Sequence, residues 1–362
     1  MTPLHRTFSR LSDPRINCKK KHLLLDIIIL SILAVLCGAE SFSSIKLFGR
    51  TNYLFLKQIL RLPNGIPSHD TINRVFSLIN GRHFERLFIQ WSQGLKDRGI
   101  LDKVVALDGK TLRGSKDTFH EKSPIHLVHA WSVEQNICLG QLKTSEKSNE
   151  ITAIPELLDL LDIKGCIITI DAMGTQTAIA EKIIEKEADY ILAVKDNQKA
   201  LREEVETTCN RFRPAFDDTE EEKGHGRIET RRCQVWEKGE IVDFENRWKG
   251  LRTIIKITST RQIRDKITME ERYYISSLDT KQPFNQYIRD HWRVENSLHW
   301  TLDVVFGEDE QRKRNKQAAE NFAIVRKIAL NILKKDKGKE SLRSKRLKAA
   351  WDKDFLIKLI NF

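Results

Sequence analysis

The sequence has no closely spaced cysteines. Its six cysteines are spread over 362 residues, and none of them forms a CxxC or CxxxxC pair. Zinc sites and the disulfide frameworks of small secreted domains use such close spacings. Their absence argues against both kinds of site and predicts a reducing, cytoplasmic location.

The sequence also lacks an apolar run long enough to cross a membrane. Residues 23–37 follow three lysines, as the core of a signal peptide would, but Asp26 interrupts them. The uninterrupted part, residues 27–37, is shorter than the roughly 20 residues that a bilayer crossing needs. We therefore predict a buried helix here and no membrane partner.

Positive charge is what the sequence has in excess. The formal net charge is +12, and the pI is near 9.3. Residues 311–362 contain 16 Lys/Arg and 5 Asp/Glu, which is nearly the whole excess. Such a segment suits contacts with phosphates and predicts a nucleic-acid partner. A solvated helical face is the alternative interpretation.

Three regions differ in their sequence pattern. Residues 1–100 have helical periodicity and a tight Leu-Pro-Asn-Gly turn, which fits a DNA-reading helix-turn-helix, a structural cap or a dimer surface. Residues 101–310 alternate between strand-like and helical segments. Residues 311–362 form a basic helical C-terminal region.

The middle region predicts an α/β fold. Its order is β-β-β-α-β-α-β-α, which favours a mixed sheet flanked by helices and is compatible with an RNase H-like fold. Residues 217–278 interrupt this alternation with an acidic stretch and several strand-like runs, so we predict a β-rich insertion. A helix opened by Pro283 then continues to about Trp300.

Three carboxylates lie at predicted strand ends or on a predicted helix, where they could form a metal site together. Asp108 and Asp171 each follow an apolar strand, and we expect both to lie at the carboxyl ends of their strands, where α/β sheets bind ligands. Glu295 lies on the predicted helix, one turn from His291 and from His299. A buried carboxylate needs a cation, and this hard oxygen set suits Mg²⁺. Taken singly, each acid fits a structural role better than a catalytic one, and only the set of three points to a metal site.

Seven sequence blocks carry a family resemblance. They are residues 8–15 (FSRLSDPR), 106–115 (ALDGKTLRGS), 129–132 (HAWS), 143–150 (KTSEKSNE), 170–176 (IDAMGTQ), 225–232 (HGRIETRR) and 291–300 (HWRVENSLHW). In this order, and nearly end to end, the sequence resembles the IS4-like bacterial insertion-sequence transposases. Within them it is similar to the ISAs1 family, which includes the H-repeat-associated proteins.

The resemblance implies a DDE transposase with an RNase H-like catalytic domain. Asp108, Asp171 and Glu295 carry over as catalytic residues that hold two Mg²⁺ ions, with Mn²⁺ as a substitute. The implied reaction nicks double-stranded DNA at the element ends and joins the 3′ hydroxyl to target DNA, in a synaptic complex made by a homodimer. A nucleoid-associated location follows from such a partner.

The sequence departs from the wider IS4 signature around the glutamate. That signature is tyrosine, two residues, arginine, three residues, glutamate, six residues and lysine. The corresponding residues here are Ile288, His291, Glu295 and Leu302, so only the glutamate is kept in place. Nearby arginines are candidates for the phosphate-binding role.

Seven basic residues are hypothetical DNA contacts: Lys110, Arg113, Arg227, Arg231, Arg232, Arg289 and Arg293. Solubility and protection of strand edges are the alternative explanation. Two other functions also remain open, a catalytically inactive DNA-binding remnant and an RNase H-like nuclease without strand transfer.

Overall fold

The computed structural model describes residues 2–17, 20–96, 103–117, 119, 121, 123–144, 150–224, 226–239, 242–243 and 245–361. One nine-stranded mixed sheet runs through the molecule, and helices pack on both of its faces. Within these ranges, every helix falls short of the length or the hydropathy that a bilayer crossing requires.

The sheet is mixed, as the sequence predicts. Its strands are β1 (Val104–Leu112), β2 (Ile125–Ser132), β3 (Ile137–Lys143), β4 (Ile167–Ile170), β5 (Asp189–Val194), β6 (Phe216–Gly224), β7 (Arg227–Glu237), β8 (Thr253–Ile263) and β9 (Lys266–Ser276). Across the sheet they run β3-β2-β1-β4-β5-β9-β8-β7-β6. β1, β4 and β5 are parallel to one another, whereas β2 pairs antiparallel with both β1 and β3. This is the RNase H-like arrangement, so the predicted fold class is confirmed.

Helices make up most of the N-terminal region and alternate with strands or follow them in the remaining chain. They are α1 (Pro3–Phe8), α2 (Leu24–Leu36), α3 (Phe42–Thr51), α4 (Tyr53–Leu56), α5 (His69–Leu78), α6 (Gly81–Gly94), α7 (Glu150–Leu160), α8 (Thr177–Glu185), α9 (Lys199–Arg211), α10 (Phe284–His291), α11 (Trp300–Val304), α12 (Ala318–Lys335), α13 (Leu342–Trp351) and α14 (Lys353–Ile360). The buried helix predicted within residues 23–37 is α2, and nearly all of its side chains are buried.

Alternation along β1 divides the hydrophobic residues between two cores. Val104 and Ala106 pack with the N-terminal helices and α12. Val105 and Leu107 pack with α7 and α8 on the other face. A strand that is buried on both faces reads as a continuous apolar run, which is why this strand is visible in the sequence.

The β-rich insertion is part of the main sheet. Its last strand, β9, pairs antiparallel with β5, and β6 to β8 extend the sheet beyond it. The acidic stretch is itself a strand, β6, which lies at the sheet edge and is exposed along its whole length. Opposite charges pair across to β7, for example Arg232 with Asp217 at 2.6 Å, and such pairs replace apolar contacts in holding this hairpin.

Helix α12 is buried on nearly all sides, although it lies in the basic C-terminal region. It contacts α2, α5, α6 and β3. Arg326 and Lys327 are therefore inside the protein and do not form a solvated face. The division of the chain at residues 100 and 310 stays a prediction.

Asn331 on α12 forms two hydrogen bonds with the backbone of β3. Its side chain accepts the N–H of Cys138 at 2.9 Å and donates to the carbonyl of the same residue at 2.8 Å. We expect Asn331→Ala to lower the free energy of unfolding by about 2–3 kcal/mol, because it leaves two buried backbone groups unpaired. Urea denaturation monitored by circular dichroism measures this. The exposed Asn361→Ala is the control, and equal stabilities for the two variants would contradict the expectation.

Candidate active site

The register between β1 and β4 places two aspartates side by side. Their parallel pairing ends with Leu107 opposite Ile170, and the next residues are Asp108 and Asp171. Asp171 ends its strand as predicted. The prediction that Asp108 ends its strand is wrong, because β1 continues to Leu112 through pairing with β2.

Backbone N–H groups hold both aspartates. Asp108 accepts the N–H of Gly109 at 2.8 Å. Asp171 begins a short 3₁₀ turn and accepts the N–H of Met173 at 3.1 Å. The two carboxylates and Glu295 line one cavity of about 340 Å³.

Glu295 lies on a π-helical turn. The predicted single helix is α10, then a π-turn (Glu295–His299), then α11. In the π-turn the N–H of Trp300 bonds the carbonyl of Glu295, one residue further along than in an α-helix. Such turns are frequent at functional sites, where they re-aim a side chain.

Burial and neighbouring carboxylates disfavour the ionised form of both aspartates. Burial, and then the charges of Asp171, Glu150 and Glu295, raise the pKa of Asp108 to about 7. Burial and then Glu150 raise the pKa of Asp171. A divalent cation between the two would remove this penalty, so the aspartates fit a hard metal ion.

Glu295 is the third acid of the same cavity. In the described part of the chain, no group of three or more His, Cys, Asp and Glu side chains is placed to hold a metal ion. Glu295 is exposed and shares the cavity with the aspartates. A metal site made by all three acids would therefore require some movement of their side chains.

Sequence reasoning missed Glu150, the first residue of α7. Its Oε1 lies 2.7 Å from Nε2 of His126. A Cβ on Gly109 would lie 1.9 Å from the same oxygen, so Gly109 leaves room for this carboxylate next to Asp108. The glycine was a signal for a close approach, but the sequence did not show which group approaches.

The positions that depart from the IS4 signature are filled by core residues. Ile288 and Leu302 are buried apolar side chains. His291 places its Nδ1 3.0 Å from the Thr169 hydroxyl on β4, and burial lowers its pKa to about 4. This neutral histidine ties α10 to the sheet where the signature has a charged arginine.

Lys110 and Arg113, two hypothetical DNA contacts, have contrasting environments. Lys110 is buried and pairs with Asp303, with Glu308 at 3.5 Å and with Asp309 at 3.6 Å. Arg113 is 84% exposed, and its Nε is 3.7 Å from Asp309. Arg113 is thus open to solvent, whereas Lys110 is committed to protein carboxylates.

The three arginines on β7 all have acidic neighbours. Arg227 and Arg231 lie 3.0 Å and 3.3 Å from Glu229. Arg232 pairs with Asp217 on β6. Because side chains alternate along a strand, Arg232 faces the side of the sheet opposite to the other two.

The two arginines near Glu295 are also paired. Arg289 forms a bidentate ion pair with Glu222 on β6. Arg293 is 59% exposed and lies 3.3 Å from Asp290. Arg289 and Arg231 line a second cavity, of about 420 Å³, beside the aspartate cavity. The structure therefore brings these two predicted contacts together next to the site.

Two protein-family models match the sequence. The "Transposase DDE domain" matches residues 100–332, and "DDE_Tnp_1-associated" matches residues 5–92. Among solved structures, a piggyBac transposase synaptic complex with hairpin DNA aligns at 12% identity with a TM-score of 0.42, over 99% of this chain and 76% of that one.

Curated relatives match over nearly the full length. The "H repeat-associated putative transposase YhhI" of Escherichia coli (strain K12) is 46% identical over 97% of this chain and 96% of its own. The "Putative transposase YncI" of Escherichia coli O157:H7 is 46% identical over 94% and 90%. The "Inactive transposase YbfQ" of Escherichia coli (strain K12) matches 18% of this chain and 77% of its own at 51% identity. The chain belongs to the IS4-like family of DDE transposases.

Proposed function

We propose that this protein is a DNA transposase that cleaves the ends of an insertion sequence and joins them to target DNA. The observation that carries the proposal is the β1–β4 register, which sets Asp108 beside Asp171 in a cavity that Glu295 also lines. Membership in the DDE transposase family supports the same assignment.

Asp108, Asp171 and Glu295 are the proposed ligands of two Mg²⁺ ions, with Mn²⁺ as a substitute. Bound there, such ions would activate a water molecule and neutralise the leaving 3′ oxygen. Burial and then the neighbouring carboxylates disfavour the charge on Asp108, and a cation or a proton would relieve this penalty. Metal binding is therefore expected to release a proton near neutral pH.

Double-stranded DNA is the proposed partner, at the element ends and at the target. The net charge of +12 favours a polyanion. Arg231 and Arg289 lie beside the aspartate cavity, and Arg113 is open to solvent on the other side of Glu295. A homodimer that synapses two ends, in the nucleoid of the cytoplasm, completes the proposal.

A strand-transfer assay tests the proposal against its alternatives. Purified protein is incubated with duplexes that carry the sequences flanking its gene and with a supercoiled plasmid, in Mg²⁺, Mn²⁺, Ca²⁺ or EDTA. We expect nicks at the element ends and joined products in Mg²⁺ and Mn²⁺ only. Nicks without joined products would indicate a nuclease, and binding without nicks would indicate an inactive remnant.

Arg231→Ala and Arg289→Ala test the DNA interface. If each arginine contacts a phosphate, its loss removes about one unit from the slope of log affinity against log salt and weakens binding about tenfold at 0.1 M salt. Fluorescence anisotropy across a salt series measures this. Lys164→Ala is the matched control, because this exposed lysine precedes β4, at the strand end away from Asp171. Unchanged salt slopes for both arginine variants would remove them from the interface.

A further inference from the structure

Two buried histidines stand behind Asp108. His129 on β2 is its cross-strand neighbour, and His299 is the last residue of the π-turn that Glu295 begins. Nδ1 of His299 lies 3.4 Å from Oδ2 of Asp108. Nε2 of His299 lies 3.2 Å from Nδ1 of His129. The three side chains form a continuous polar chain from the candidate site into the interior.

The surroundings favour one arrangement of protons in this chain. A neutral imidazole has one donor and one acceptor nitrogen. Nδ1 of His299 faces a carboxylate oxygen, which accepts hydrogen bonds, so in the neutral ring this nitrogen carries the proton and Nε2 is the acceptor. Nδ1 of His129, 3.2 Å from that acceptor, then carries the proton of its own ring, and Nε2 of His129 is buried without a hydrogen-bond partner.

The direction of donation follows from that assignment. With its proton on Nδ1, His129 donates to Nε2 of His299. His299 then carries its own proton on Nδ1, the nitrogen that faces Asp108. The N–H of Gly109 already holds the other oxygen of this carboxylate. One carboxylate oxygen thus accepts the N–H of Gly109 and the other faces Nδ1 of His299, and the remaining lone pairs are left for the cavity.

We propose that His299 is a positioning residue, which orients the Asp108 carboxylate toward a divalent cation and is itself held in the correct tautomer by His129. The inference rests on the proposed function, because it takes Asp108 as a metal ligand. Loss of a group that orients a metal ligand commonly weakens metal binding about 10- to 100-fold.

The π-turn connects Glu295 to the contact between His299 and Asp108. Its first residue, Glu295, lines the aspartate cavity, and its last residue, His299, contacts Asp108. One short turn therefore sets both the place of the third carboxylate and the orientation of the first. A change at His299 acts on metal binding without removing a carboxylate.

Two isosteric amides separate positioning from packing. In His299→Asn the amide nitrogen occupies the place of Nδ1 and still donates to Asp108. In His299→Gln it reaches the place of Nε2 and meets His129 instead. We expect Mn²⁺ dissociation constants about 10- to 100-fold above wild type for His299→Gln and within about threefold of it for His299→Asn. Electron paramagnetic resonance titration of the metal-free protein measures Mn²⁺ binding without any reaction.

The outcomes distinguish this inference from the function on which it rests. His69→Gln, an exposed histidine on α5, is the control and should bind Mn²⁺ as wild type does. Thermal melting checks that both His299 variants are folded. Wild-type protein that binds no Mn²⁺ would overturn the proposed metal site and this inference together. Normal Mn²⁺ binding by wild type, with equal affinities for the two folded amide variants, would overturn the positioning role alone.

Discussion

Asp108→Asn is expected to abolish DNA cleavage while it stabilises the metal-free protein. The amide keeps the shape of the side chain but removes the charge that would hold the metal. Because a bound metal contributes several kcal/mol to such transition states, we expect cleavage to fall at least about 10³-fold. Asp159→Asn, an exposed aspartate on α7, is the matched control and should cleave normally.

The stabilisation follows from the sign of the pKa shift. Burial and Asp171 raise the pKa of Asp108 from 3.8 to about 7 in the folded protein. A carboxyl with a raised folded pKa favours the folded state below its unfolded value, and this contribution is lost as the pH rises from about 4 to about 7. Wild type without metal should therefore lose up to about 4 kcal/mol over this range, whereas Asp108→Asn avoids this loss.

Denaturation at pH 5 and pH 8, with EDTA or with Mg²⁺, tests both halves of the prediction. Glu85 has a pKa raised to about 8, chiefly by burial, and it adds to the same pH trend. The informative quantity is thus the difference between wild type and Asp108→Asn. We expect Mg²⁺ to stabilise wild type alone at pH 8. A variant that still cleaves, or that is less stable than wild type in EDTA at pH 8, would refute the assignment.

The aspartate pair was predictable from the sequence because the strands before it are buried on both faces. Their continuous apolar runs ended at Asp108 and Asp171, and the two parallel strands then set these residues together. The extension of β1 past Asp108 was hidden, since its residues are stabilised by pairing with β2 and not by an apolar pattern. Strand ends judged from hydrophobicity alone therefore come too early.

Other parts of the site depend on contacts between distant segments. The π-turn at Glu295 has no sequence signature, and Glu150 reaches the site only because α7 begins beside Gly109. The acidic β6 was missed as a strand because charged residues hold it through arginines on β7 and α10. In each case the deciding interaction lies far away in sequence, where periodicity carries no information.

The buried charges of α12 are the clearest example of such a contact. Arg326 and Lys327 look like surface residues in the sequence, yet both face Glu308, which is fully buried. Lys110 approaches the same carboxylate from β1 at 3.5 Å. Burial would raise the pKa of Glu308, but Lys327, Arg326 and Lys110 hold it below its usual value. The carboxylate is therefore ionised and balances cations from two different elements.

Glu308→Gln is expected to lower the free energy of unfolding by about 3–5 kcal/mol. Removing one partner of a buried ion pair leaves the other charge without compensation, which costs more than the pair contributed. Here one substitution leaves Arg326 and Lys327 uncompensated in the interior and deprives Lys110 of one of its three carboxylates. Urea denaturation of wild type and variant at neutral pH measures the loss.

Neighbouring substitutions show whether charge is the cause. Glu310→Gln changes an exposed glutamate two residues away and should leave stability within about 0.5 kcal/mol. Lys327→Met in the Glu308→Gln background removes one uncompensated buried cation and should restore part of the lost stability. If Lys327→Met instead lowers the stability of the variant by as much as it lowers that of wild type, Glu308 stabilises the protein through packing. If it restores stability, the ion pairs of Glu308 with Arg326, Lys327 and Lys110 hold β1, the loop before α12 and the candidate active site in one arrangement.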